Sequence, residues 1–212
     1  MKYTILAILV FVFVGCTPGT QVQTFVDPSL SKLSLETGGI TVLPVGFSAA
    51  SQKDVTPELR RQVTIRVTTG ASRFFPSVKT IPIGDTLAIL EGGNLLDAYV
   101  SATSAFEQTG ILRAQTLDQI TTLSKTRYAL YPYLYGSSQQ TTNQGLATTY
   151  SSRFGIVLWD KQLKKAVYEG TQEASVSQNV FTQIFSGGNS SIDGIYAAID
   201  ASLSKLQGLL AR

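Results

Sequence analysis

Few side chains in this 212-residue chain are of a type that does chemistry. There is one cysteine, Cys16, and no histidine. Without histidine, the Ser-His and Cys-His nucleophile pairs, the commonest general base and most zinc sites are excluded. With a single cysteine no intramolecular disulfide forms. The 14 carboxylates could supply a glycosidase-type acid–base pair if folding brought two together. Asp85, Glu91, Asp97 and Asp118 share a region, and Glu169 and Glu173 share a strand face that reads most simply as a wet one. No G-x-S-x-G, phosphate-binding loop, G-x-G-x-x-G or metal-ligand spacing is present. The expectation is a protein that is not an enzyme and uses neither cofactor nor metal. That leaves the thiol of Cys16 and a tyrosine row. Tyr131, Tyr133 and Tyr135 share one strand parity and could stack on a sugar or grip a peptide; Tyr is also an ordinary strand residue with a polar tip.

Cys16 is positioned by what precedes it. Lys2 gives a basic start, Ile5 to Val14 is unbroken apolar sequence, and the chain turns polar at Thr17-Pro18-Gly19-Thr20. That order describes a secretory signal. At ~1.5 Å per residue, this ten-residue run spans about half of a ~30 Å hydrocarbon core, too little for a permanent span. Phe13-Val14-Gly15-Cys16 resembles a bacterial lipobox, with Phe13 where leucine is usual. The resemblance implies cleavage between Gly15 and Cys16 and acylation of the Cys16 thiol, where two or more chains give stable anchoring. The alternative is an ordinary signal peptide with a cysteine at the cleavage edge; the absence of any other cysteine favours the lipidated form. Thr17 stands where an inner-membrane retention signal would place Asp, which favours the periplasmic face of the outer membrane.

The rest divides into a lipidated tether, 16–38, and a globular domain, 39–212, after a signal peptide of 1–15. The tether holds Pro18, Gly19 and Pro28, with Phe25, Val26, Leu30, Leu33 and Leu35 able to pack part of it on the domain. Seventeen basic residues against 14 acidic ones give no clustered face for nucleic acid. Ile40 to Phe47 reads as a buried strand that Pro44 interrupts. Thr56-Pro57-Glu58 opens a helix with Leu59, Val63, Val67 and Phe74 inward and Arg60, Arg61 and Arg66 off that stripe. A short strand at 78–83 precedes helices at 84–91, 95–108, with Gly110 as C-cap, and 116–125. Strands follow at 128–136, 149–159 and 166–175. A polar loop is expected at 137–148, and a turn at Asp160-Lys161-Gln162. The loop 176–189 carries Phe181, Ile184 and Phe185, which could dock on the domain or meet a partner. Ser190-Ser191 starts a long helix with Ile192, Ile195, Ile199, Leu203 and Leu206 on one side. The fold class expected is α/β (α+β): a single mixed sheet of about five strands flanked by helices, ending in a long C-terminal helix.

This order resembles the periplasmic α/β fold shared by the TolB amino-terminal domain, CsgG and LpoB. The matching residues are Gly39–Phe47, the helix opened by Thr56-Pro57-Glu58, the strand Ala129 to Gly136, and the hairpin whose turn carries Leu158-Trp159-Asp160. The resemblance implies a body over 39–210 that works at the outer membrane by protein–protein contact. The loops flanking 150–175 lack the alternating ~10-residue runs of a membrane strand. Three functions follow. The first is a lipid-anchored accessory factor that binds another envelope protein, non-catalytic, and this is the one expected. The second is an oligomeric secretion or transport component, as CsgG is. The third is a peptidoglycan- or carbohydrate-binding module using Tyr131, Tyr133 and Tyr135.

Overall fold

The computed structural model describes residues 24–53, 55–142, 147–179 and 190–211. In chain order these form β1 (Thr24–Val26), α1 (Lys32–Gly38), β2 (Ile40–Val42), β3 (Gly46–Phe47), α2 (Ala49–Gln52), α3 (Pro57–Phe74), β4 (Thr80–Ile81), α4 (Ile83–Gly92), α5 (Leu96–Thr109), α6 (Ala114–Ser124), β5 (Tyr128–Thr142), β6 (Ala147–Asp160), β7 (Lys165–Asn179) and α7 (Ser190–Leu210). The seven strands make one mixed sheet in the order β1-β7-β6-β5-β2-β4, with β3 resuming the line of β2 along β5. β2 is parallel to β4 and β5, whereas β5, β6, β7 and β1 alternate antiparallel.

The break between β2 and β3 is set by Pro44, which has no N–H to give. Leu43 donates its N–H to Leu130 at 2.9 Å, and pairing resumes at Gly46 opposite Tyr133 after one extra residue. α3 begins as its sequence dictates: Thr56 caps it by accepting the Leu59 N–H at 3.1 Å, Pro57 takes the first turn, and Glu58 faces the helix amino end. Gly110 closes α5 in the left-handed conformation, φ 72°.

Helices cover both faces of the parallel half. One core joins Val63, Val67 and Ala71 of α3 and Ile195, Ile199, Leu203 and Leu206 of α7 to Val42, Leu130, Phe154 and Tyr168 of the sheet. The other joins Leu90 of α4, Tyr99 and Phe106 of α5, and Leu117 and Ile120 of α6 to Tyr131, Tyr133, Val157 and Trp159. Such two-sided cover is what parallel strands need.

Three expectations are corrected. The polar stretch expected to loop at 137–148 is strand out to Thr142, pairing from Ser137↔Ser152 to Thr142↔Ala147. β7 likewise runs on to Asn179 beside β6. Hydroxyl ladders stitch this extension, with Thr149 bonded to Ser177 at 2.8 Å and Ser151 to Ser175 at 2.7 Å. The described part of the expected tether is built into the body: β1 pairs with β7 from Thr24↔Gly170 to Val26↔Tyr168, and Leu35 of α1 is buried. Asp27 fixes the corner, accepting from Ser29 Oγ at 2.6 Å and from Lys165 Nζ at 2.6 Å.

Candidate functional site

Cys16, Gly15, Phe181 and Phe185 lie outside the described residues. The tyrosine row lies within them, and of the two readings left open by the sequence it takes the ordinary-strand one. Tyr131 and Tyr133 are 0% and 4% exposed and Tyr135 is half-buried. The parity was legible, but α5 lays Phe106 across that face. Phe106 meets Tyr131 edge-on at 5.0 Å between ring centres and Tyr133 at 5.3 Å, and Tyr133 meets Tyr135 at 4.8 Å. Rings locked edge-to-face this way form core rather than a flat platform for sugars.

The same rings floor a crevice where β2 and β3 end. Its back wall is the backbone of Pro44 to Phe47, one flank is α5 with Tyr99, Thr103 and Glu107, and the other is Arg60 from the first turns of α3. The cavity measures about 280 Å³. α3 packs on one face of the sheet and α5 on the other, because the chain leaves β2 towards β4 and returns across β2 to β5. A reversal of this kind opens a gap at the carboxyl ends of parallel strands, where ligands of α/β proteins bind.

Several polar groups in the crevice are committed. The Tyr99 hydroxyl donates to the Pro44 carbonyl at 2.6 Å, Gln52 Nε2 to the Phe47 carbonyl at 3.2 Å, and the Ala49 N–H to the Glu107 carboxylate. Arg60 holds its guanidinium 4.5 Å from the centre of the Phe47 ring and has no carboxylate partner among the described residues. The Tyr131 hydroxyl is buried without a hydrogen-bond partner. Burial first, then the neighbouring tyrosines and the Glu107 carboxylate, raise Tyr131 far above an ordinary phenol. Burial and Glu107 push Tyr133 up to about 12.

Several other charged residues singled out from sequence have structural partners, whereas Asp85, Glu91, Asp97, Glu169 and Glu173 stand without an ion pair among the described residues. Arg61 pairs with Glu58 at 2.8 Å, and Arg66 and Arg73 both reach Asp200 on α7, the latter at 2.9 Å. Asp160 is turn chemistry as expected: it accepts the Gln162 N–H at 2.7 Å and Arg127 Nη2 at 2.6 Å. Asp118 pairs with Lys164. Among the described residues no three Asp, Glu, His or Cys side chains converge as metal ligands would. Sequence reasoning missed Glu107 and Gln52 and placed Arg60 only off the apolar stripe of α3.

A second surface is backbone. Among the described residues the outer side of β7 is paired only from Tyr168 to Gly170, by β1, so Thr171–Asn179 presents an open edge. An open strand edge is a template for a further strand.

No protein-family model matches the chain, and no curated protein does. Among solved structures, the PelC dodecamer from Paraburkholderia phytofirmans is similar over 88% of this chain and 96% of its own, at 12% identity and TM-score 0.46. Lipoprotein GNA1162 from Neisseria meningitidis is similar over 82% and 98%, at 13% identity and TM-score 0.40. The LpoB C-terminal domain from Salmonella enterica is similar over 69% and 86%, at 8% identity and TM-score 0.38. LpoB, one of the proteins that the order of elements resembles, is among these neighbours. The functional reading rests on this chain's own residues.

Proposed function

We propose that this chain is a lipid-anchored, non-catalytic binding protein on the periplasmic face of the bacterial outer membrane, which acts by contact with another envelope protein. One observation carries the reading. The sole cysteine, in a lipobox-like setting, stands eight residues before Thr24, whose strand is hydrogen-bonded into the sheet. At ~3.5 Å per residue those eight residues reach at most about 28 Å, so a lipid on Cys16 keeps the body close to the bilayer. The open edge of β7 supports contact as the mode of action, since strand addition supplies main-chain affinity with side-chain selectivity on top.

Metabolic labelling with an alkyne palmitate tests the anchor. The chain takes up label and sediments with outer membranes, and Cys16→Ser loses both. Unlabelled wild-type chain, or soluble wild-type chain, overturns the reading. The same edge would serve a second copy of the chain, so ring assembly is the second reading. The mass of the detergent-extracted complex separates the two: a ring shows many protomers and no second polypeptide. The carbohydrate-module reading has lost its stacking platform with the burial of Tyr131 and Tyr133.

A further inference from the structure

We propose that the crevice at the ends of β2 and β3 is a binding site for a small zwitterion, a free α-amino acid. The topology puts a gap there independently of any side chain, at the point where the chain's path reverses across the sheet. At about 280 Å³ it lies just below the ~300 Å³ at which pockets for drug-sized ligands begin, so its occupant is small.

The lining sets the charge. Arg60 and Glu107 border one cavity from opposite sheet faces, and no ion pair joins them. Arg60 stands over Phe47, which holds the guanidinium plane while leaving its N–H edge free. That fork suits a carboxylate. Glu107 lines the same cavity as Tyr131 and Tyr133, with one carboxylate oxygen taken by the Ala49 N–H and the other without a partner among the described residues. A carboxylate there accepts from an ammonium. The Tyr131 hydroxyl, in the lining of the same cavity, is buried and lacks a partner, so a ligand carboxylate that reaches it gains a donor. One fixed positive and one fixed negative group favour a ligand with both charges and leave one protein charge uncompensated for a ligand with only one.

The test is thermal unfolding of the lipidated chain in detergent, followed by circular dichroism with 10 mM glycine, L-alanine, D-alanine, L-serine or L-glutamate. At least one raises Tm by about 3 °C or more. Propionate, ethylamine and glycine betaine, each lacking a charge or the N–H donors, do not. Arg60→Gln and Glu107→Gln, each compared with its own unliganded Tm, weaken the response at least tenfold; Arg60→Lys keeps part of it. No shift with any of the five amino acids refutes the proposal. So does an equal shift with propionate or ethylamine, or full response in both variants. Should either variant unfold, the comparison of alanine with propionate and ethylamine on the wild-type chain still decides. None of these outcomes bears on lipidation of Cys16.

Discussion

Replacing Gly46 by Ala tests how tightly the crevice floor is built. Gly46 has no positive φ, so its lack of a side chain answers to space rather than to backbone conformation. A Cβ there would stand 2.1 Å from Tyr131 Oη, 2.6 Å from Tyr133 Cδ2 and 2.9 Å from Tyr131 Cζ. Both rings are wedged against Phe106 and cannot swing away freely. Overpacking of this kind costs about 1–3 kcal/mol, and contact with two buried rings puts Gly46→Ala at the upper end. Tyr131→Phe removes the nearest atom of the three. By itself it also removes a buried hydroxyl without a partner, whose burial costs about 1–3 kcal/mol, so it is neutral or stabilising. In the double variant the closest contact relaxes to the 2.6 Å one with Tyr133, so rescue is partial. The expected coupling is about 1 kcal/mol, read from urea unfolding of the wild type, both single variants and the double variant. Additivity within about 0.5 kcal/mol refutes the steric account. A loss of more than ~1 kcal/mol in Tyr131→Phe alone shows that the hydroxyl is bonded, and then the floor is not as described. Tyr131→Phe also splits stability from binding: the free protein is no less stable, while its response to amino acids weakens.

Three further outcomes are expected. Asp160 is 1% exposed and takes Arg127 and two turn N–H groups, so Asp160→Ala strands a half-buried guanidinium and costs roughly 3–5 kcal/mol; urea unfolding checks it, and a loss under ~1 kcal/mol refutes the pairing. Tyr133 and Tyr168 are pushed up to about 12 by burial, whereas unfolded tyrosines ionise near ~10. The unfolded state therefore sheds protons first, and stability that is intact below about pH 10 declines towards pH 12; urea midpoints unchanged to pH 12 contradict this. Lys165, then Ser29, holds the Asp27 carboxyl well below the usual carboxylate range. Its contribution is present above about pH 4 and is lost as pH falls towards the lowered folded-state value. Protection factors in β1, taken relative to intrinsic exchange at each pH, should fall in acid, and Asp27→Asn should remove that dependence; an unchanged protection profile in the variant counts against the corner.

What was legible in the sequence was local. Thr56-Pro57-Glu58, Gly110 and Pro44 act through their own backbone geometry, and each element begins, ends or breaks where they stand. The polar strand ends at 137–142, 147–148 and 176–179 were not legible, because Ser, Gln and Thr give no apolar alternation. They are held by pairing across the sheet, with hydroxyl pairs such as Thr149 with Ser177 on a strand far along the chain. β1 is only three residues long and depends on β7 in the same way. Tyrosine parity identified the face but not what lies upon it; Phe106 arrives there from a different helix. Arg60 and Glu107 meet at one cavity through the crossover between β2 and β5, and nothing in their own neighbourhoods foretells it.

The two halves of the sheet answer to different demands. β4, β2 and the first part of β5 run parallel and are covered on both faces, which fixes the crevice between α3 and α5. The far ends of β5, β6 and β7 are antiparallel and hydroxyl-rich, and antiparallel strands tolerate a wet face. The crevice thus lies in the part of the sheet covered on both faces, and the β7 edge that is open among the described residues lies in the other. β1 links that edge to the proposed anchor. It runs antiparallel to β7 with Thr24 opposite Gly170, so its amino end points towards the stretch from Thr171 onward, which has no outer partner among the described residues. The chain from Cys16 therefore joins the body on the margin of that edge, within about 28 Å of Thr24. If β1 were released by loss of the Asp27 corner, the anchor would gain reach and the edge would lengthen towards Tyr168, changing both the distance to the membrane and the register open to an incoming strand.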